Sequence, residues 1–182
     1  FLFFTFLIYK LRFFRVKGIN QKIILLMFLL KIAGAFSVAL IYTYYYTDRT
    51  TADVFKYFDD AKIVYSSLFS NPEHFFRIIT GIGDNSPELD RYYSAMRFWL
   101  KPYDYHLFND NKTIIRLNAG LMPVTLGFYY VHCLIFAFIS FTGLMAIYKV
   151  FVSFSEQKKY ELLFGIFLFP SVIFWTSGVL KE

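Results

Sequence analysis

IILLMFLLKIAGAFSVALIYTYYY, residues 23–46, decides the fold class. Its one charged side chain is Lys31. A helix rises 1.5 Å per residue, so about 20 apolar residues cross the hydrocarbon core of a bilayer. Backbone inside that layer must satisfy its own polar groups, and a single run does so only as a helix. Tyr42, Tyr44, Tyr45 and Tyr46 cluster at the far end, where aromatic side chains settle at a membrane interface. Lys31 lies about 12 Å along this helix. Either it snorkels toward the basic end of the helix, or it faces a bundle interior.

Working outward, the flanks carry the same signal. FLFFTFLIY, residues 1–9, is too short to span and reads as the tail of a truncated span or an interfacial segment. Lys10, Arg12, Arg15, Lys17 and Lys22 follow without an intervening acid. That pattern marks a cytoplasmic loop, so residues 1–22 are expected as an apolar segment plus a basic loop. A second span is expected over residues 121–152, LMPVTLGFYYVHCLIFAFISFTGLMAIYKVFV. Residues 153–161 form a short cytoplasmic loop with Lys158 and Lys159. A third span is expected over residues 162–180, kinked by Pro170, with Trp175 at the outer interface. Residues 47–120 then face outward. The expected fold class is all-α: a polytopic transmembrane helix bundle with an extracytoplasmic loop of short amphipathic helices. The chain has no initiator Met and stops just after an apolar segment, so a fragment of a longer membrane domain is expected.

Composition agrees. The chain is 57% hydrophobic, 23% aromatic and 18% charged, more apolar than the roughly 45–50% of a soluble domain. The net charge of +6 concentrates in the basic loop, and no nucleic-acid motif accompanies it. The single cysteine, Cys133, excludes an intrachain disulfide and a Cys-rich metal site, and reads as a small buried apolar side chain. His74, His106 and His132 lack metal-ligand spacing, and Asp110, Asn111 and Thr113 do not complete a calcium loop. No metal and no cofactor is expected. His132 lies deep in the second expected span, where it serves either an interhelical hydrogen bond or a functional role.

The outward region opens with TADVFKYFDDAKIVY, residues 51–65. Val54, Tyr57, Phe58, Ala61, Val64, Tyr65 and Leu68 fall at helical spacing and define a packed stripe centred near Ala61. Asp59 and Ser66 fall on the opposite, solvated face. Asp53 and Asp60, seven apart, share one edge of the stripe, where Lys56 can pair with Asp60. They are either a helix cap plus a surface ion pair or a catalytic edge. In SNPEHFFRIITG, Asn71 caps, Pro72 and Glu73 suit the first turn, and Gly81 terminates. GDNSPELDRYYSAMRFWLKP repeats the device, from Ser86 to Lys101-Pro102, with a stripe of Leu89, Tyr92, Tyr93, Met96, Trp99 and Leu100. Asn109, Asp110 and Asn111 read as a turn. Arg116 enters the second span from outside, where it anchors to lipid headgroups or binds a phosphate.

These residues carry a resemblance. The layout resembles polytopic GT-C-type glycosyltransferases and related bacterial surface-polysaccharide polymerases. In that family an acid follows the first span, then aromatics, then Ala, in a pattern close to D-E-x-Y-Y-x-x-x-A. Here Asp53, Tyr57, Phe58 and Ala61 follow that order, with Val54 in place of the second acid. FPSVIFWTSGVLKE also resembles a span end of bacterial polysaccharide-assembly membrane proteins. The resemblance implies an inner-membrane, multi-pass enzyme that transfers a sugar from a polyprenyl-phosphate carrier to a glycan acceptor, within a polysaccharide-assembly complex. Asp53 matches the family's catalytic acid, and Asp60 is a further catalytic candidate. Arg116, Lys181, Arg97 and Lys101 are candidates for the departing phosphate. Two other readings compete. A transporter or flippase would use Lys31, His132 and the Pro170-broken helix. A membrane scaffold would use residues 47–120 as a binding surface.

Overall fold

The computed structural model describes residues 1–46, 52–100 and 110–177. Their regular structure is entirely helical. The helices are α1 (Leu2–Lys10), α2 (Gln21–Tyr44), α3 (Asp53–Ser70), α4 (Pro72–Thr80), α5 (Asp90–Tyr93), α6 (Asn111–Thr125), α7 (Tyr129–Phe154), α8 (Lys159–Phe167) and α9 (Pro170–Phe174). Short 3-10 turns join several of them. Two helices, α2 and α7, are long and apolar enough to cross a membrane. The chain divides into two units: Phe1–Tyr45 with most of the chain from Cys133 onward, and Tyr46–His132.

In the first unit an aromatic core ties α1, α2, α7 and α8 together. Phe14, Phe28, Phe141 and Phe167 are buried. Phe14 stacks on Phe141 at 5.8 Å, and Phe4 on Phe138 at 4.4 Å. Asn20 caps α2 by accepting from the Lys22 N–H, and the Gln21 amide donates to the Ile8 carbonyl at the end of α1. Offset aromatic pairs of this kind add about 0.5–1.5 kcal/mol each beyond the area they bury. Much of α2 and α7 is not covered by the protein. Leu26, Leu29, Leu40, Ile139, Val150 and Phe151 are all exposed.

The segment expected as one span over 162–180 is instead α8 and α9, separated at Leu168 and Phe169, with residues 178–180 outside the described set. Pro170 has no N–H to continue α8, but suits the first position of a new helix, where it stands in α9. The break gives Lys31 its partners. Lys31 does not snorkel. It is buried, donating to the Val172 carbonyl at 2.7 Å and to the Thr176 hydroxyl. One turn along α2, Gly34 meets the Ile173 backbone, an approach that any Cβ would block.

In the second unit α3 packs on α4 and α6. The expected stripe is its core: Phe58, Ala61 and Val64 are fully buried, and Tyr57 nearly so. Asn71 caps α4 by accepting from the Glu73 N–H, and Gly81 ends it at φ +76°. Several expectations are corrected here. Ala52, not Asp53, occupies the cap position of α3. The helix expected from Ser86 to Lys101 stops at Tyr93, because burial of Met96 and Trp99 pulls the chain inward. Ser86 does stand at the cap position before Pro87, at the 3-10 turn Pro87–Leu89 that leads into α5, but its side chain makes no cap hydrogen bond and its hydroxyl accepts from Arg77. Residues 111–125, expected as the end of the outward region (to 120) and the start of the second span (from 121), form α6, and the second long helix starts only at Tyr129. Leu126 (φ +52°) and Gly127 (φ +70°), both left-handed, separate the two.

Candidate functional site

Asp60 sits on the third turn of α3 and is 3% exposed. A carboxylate so placed needs donors. It finds them in backbone. Oδ1 accepts from the Arg97 N–H at 3.1 Å and Oδ2 from the Phe98 N–H at 2.8 Å. Both amides would be used internally in a helix running to residue 100. The early end of α5 releases them. Phe98 is fixed from its other side too, its carbonyl accepting from the Asn111 side-chain amide at 3.2 Å. Trp99, 1% exposed, stacks on Tyr93 at 5.0 Å and anchors the loop.

Beside this carboxylate lies a pocket of about 240 Å³ lined by Lys56, Asp59, Asp60, Arg97 and Phe98, with Ile63 and Ala95. Lys56 lies over the Phe98 ring at 5.1 Å. Burial pushes the Asp60 carboxyl above the ordinary carboxylate range, and the charge of Asp59 adds to this. The two amides and the Arg97 charge act the other way. The site therefore holds a carboxylate with raised proton affinity, each oxygen fixed by one amide and able to accept a further hydrogen bond. Two cations stand in the same pocket.

The expected residues fall into distinct places. Asp60 and Arg97 share the pocket, as does Asp59, which was expected on the solvated face and is half-buried. Lys56, expected as an ion-pair partner of Asp60, also lines the pocket. Asp53 opens α3, but its side chain lies outside the described residues, as do Lys101, His106 and Lys181. Arg116 is held by its own fold. It donates to Asp84 at 2.6 Å and to the Ile78 carbonyl at 2.7 Å, and lies over Trp99 at 5.3 Å. Its charge is already opposed by Asp84, so it latches α4 to α6 rather than lining the Asp60 pocket. Tyr93 donates to the Asp84 carbonyl at 2.7 Å, and burial with the Asp84 charge pushes its phenol up to about 12.

His132 is not deep in a span. It stands in the first turn of α7, fully buried. It bridges the Thr125 hydroxyl at 2.6 Å and the Asn118 side-chain oxygen at 3.1 Å, and meets the Phe58 ring edge-on at 4.9 Å. Because Asn118 donates its amide N–H to the Ile114 carbonyl, its oxygen is left to accept from Nδ1–H. This is the interhelical hydrogen bond, joining α6 to α7. Among the described residues no group of His, Cys, Asp and Glu side chains is arranged to hold a metal. Compared with protein-family models, with curated proteins and with solved structures, the chain matches none.

Proposed function

We propose that the protein is an integral membrane glycosyltransferase or polysaccharide polymerase whose donor is a sugar on a polyprenyl phosphate at the outer face of a bacterial plasma membrane. The observation that carries this reading is the Asp60 pocket. Transfer of a sugar to a hydroxyl needs a base for the acceptor and positive charge for the departing phosphate. Asp60 supplies the first. Its raised proton affinity makes it a stronger base than an exposed carboxylate, and its two amide contacts hold it in one orientation. Arg97 and Lys56 supply the second from the same pocket. Asp53 keeps its proposed catalytic role from the family pattern, two helical turns before Asp60 on α3.

The two long apolar helices and their uncovered aliphatic faces support a membrane setting, which a lipid-linked donor requires. The test is glycan transfer by membranes carrying the protein, supplied with labelled polyprenyl-linked sugars. Wild type transfers sugar, and Asp60→Asn at normal protein level loses transfer by about 100-fold or more, in line with removal of a general base. Undiminished transfer by Asp60→Asn removes the pocket from the chemistry.

A second reading, a transporter or flippase, is favoured by one feature: the buried Lys31 ammonium at the broken α8–α9 segment. It predicts movement of the lipid-linked sugar across proteoliposomes without bond formation, lost in Lys31→Met and kept in Asp60→Asn.

A further inference from the structure

The first unit carries a second charged pocket, far from Asp60 in sequence. Its volume is about 290 Å³, and its walls include Arg15, Lys17, Lys149, Val152, Ser153 and Glu156. The pocket forms where α2 begins and α7 ends. The 3-10 turn after α1 is drawn onto the end of α7, because Lys149 donates to the Phe13 carbonyl at 3.1 Å and lies over the Phe13 ring at 5.1 Å. Lys17 and Glu156 face each other at 3.7 Å, a loose and solvated pair. The Tyr160 hydroxyl donates to the Gly18 carbonyl at 3.3 Å and fixes the loop from the other side.

Three cations against one acid leave the walls net positive. An ammonium has three N–H donors, and Lys149 uses one of them on the Phe13 carbonyl. The Ser153 hydroxyl donates to the Val150 carbonyl at 2.6 Å, which leaves its oxygen as an acceptor at the rim. On the flank of the same helix end, Val150 and Phe154 expose apolar side chains. The site thus joins a cationic recess to an uncovered apolar helix face. That pairing matches an anionic phospholipid, with phosphate in the recess and acyl chain along α7.

We propose that this recess binds the headgroup of an anionic phospholipid at the end of the two long helices that carries the basic loop. The proposal rests on those helices crossing a bilayer and is independent of any sugar transfer. A soluble phosphate shares the headgroup's charge but lacks the apolar half of the contact, so it does not substitute. Glu156 opposes the anion and sets a ceiling on affinity.

The experiment is native mass spectrometry of the detergent-purified protein titrated with phosphatidylglycerol, with phosphatidylcholine and inorganic phosphate as separate arms. Wild type retains phosphatidylglycerol in preference to phosphatidylcholine, and millimolar phosphate does not displace it. Arg15→Gln with Lys149→Gln weakens retention on the order of five-fold for each cation removed. Arg12→Gln with Lys22→Gln removes the same charge outside the pocket and leaves retention within about two-fold. Glu156→Gln tightens it. Ser153→Trp fills the recess with all charges in place, and it must also lose the lipid, which covers a failure of the double variant to fold. Equal weakening by both double variants overturns the proposal in favour of diffuse surface attraction. Displacement by inorganic phosphate overturns the lipid in favour of a soluble anion, and retention by Ser153→Trp overturns the recess itself.

Discussion

Asp60 shows how one side chain takes its meaning from its surroundings. Its folded-state proton affinity is raised by burial, while the unfolded chain keeps an ordinary value near 4. The folded state therefore holds the proton more tightly. The stability this site contributes is fully present below the unfolded value and is lost as pH rises through the raised folded value. Melting curves in detergent over a pH series that starts below the unfolded value check this: wild type loses melting temperature relative to Asp60→Asn as pH rises from the unfolded value through the raised folded one, and runs parallel to it above. Parallel curves throughout would mean that burial does not weigh on this carboxyl. The acid on the edge of the α3 stripe was legible from helical spacing. Its amide partners were not, because Arg97 and Phe98 are distant in sequence and become donors only where a helix fails to continue. The spacing rule placed Asp59 on the far face because it considers α3 alone, whereas the loop after α5 brings Ala95, Arg97 and Phe98 to the same pocket and leaves Asp59 half-buried. Arg116 is a related case. A lone arginine beside an apolar run looks unengaged until Asp84 and the Ile78 carbonyl are brought to it by the α4–α6 contact.

Among the elements, α2, α3 and α4 follow their local signals: an uninterrupted apolar run, an amphipathic stripe, and an Asn-Pro start with a glycine stop. Elements that depart do so at breaks whose cost is repaid by packing. The α8–α9 break redirects the chain so that α9 lies against α2, where Lys31 meets the Val172 carbonyl and Gly34, three residues on, meets the Ile173 backbone. This seam makes a sharp test with two glycines in long helices. In Gly34→Ala the new methyl group meets the Ile173 carbonyl oxygen and side chain, and overpacking of this kind costs about 1–3 kcal/mol. In Gly143→Ala on α7 nothing lies near the added Cβ, so the gain in helix propensity stabilises by up to about 1 kcal/mol. Opposite shifts in melting temperature are expected. A neutral Gly34→Ala would show that α9 does not bear on α2 in solution.

For the whole molecule, the asymmetry of basic residues sets the expected sidedness. The 10–22 segment and the turn after α7 carry the lysines and arginines that favour the cytoplasmic side, which leaves the region between α2 and α7 outside. Single cysteines in a Cys133→Ala background test this with a membrane-impermeant maleimide on intact cells. Gly83→Cys and Ser94→Cys, exposed and between the long helices, label directly. Lys17→Cys and Ser155→Cys label only after permeabilisation. Labelling of all four positions on intact cells would mean that α2 and α7 do not cross the membrane, and would remove the basis for both the lipid-linked donor and the headgroup site.

The sequence by itself determined the helical class, the two long apolar helices, the packed stripe of α3 and the caps of α4. Each of these is set by residues within a few turns of one another, where periodicity, proline and glycine act directly. Tertiary structure decided the rest. It ended α5 early, split α8 from α9, and divided α6 from α7 at Leu126 and Gly127. It turned Lys31 inward, committed Arg116 to Asp84 and gave Asp60 its two amides. The physical reason is common to all of these. A buried charge or a broken helix is tolerable only when a distant segment supplies the missing hydrogen-bond partner, and no local pattern in the chain records which segment that is.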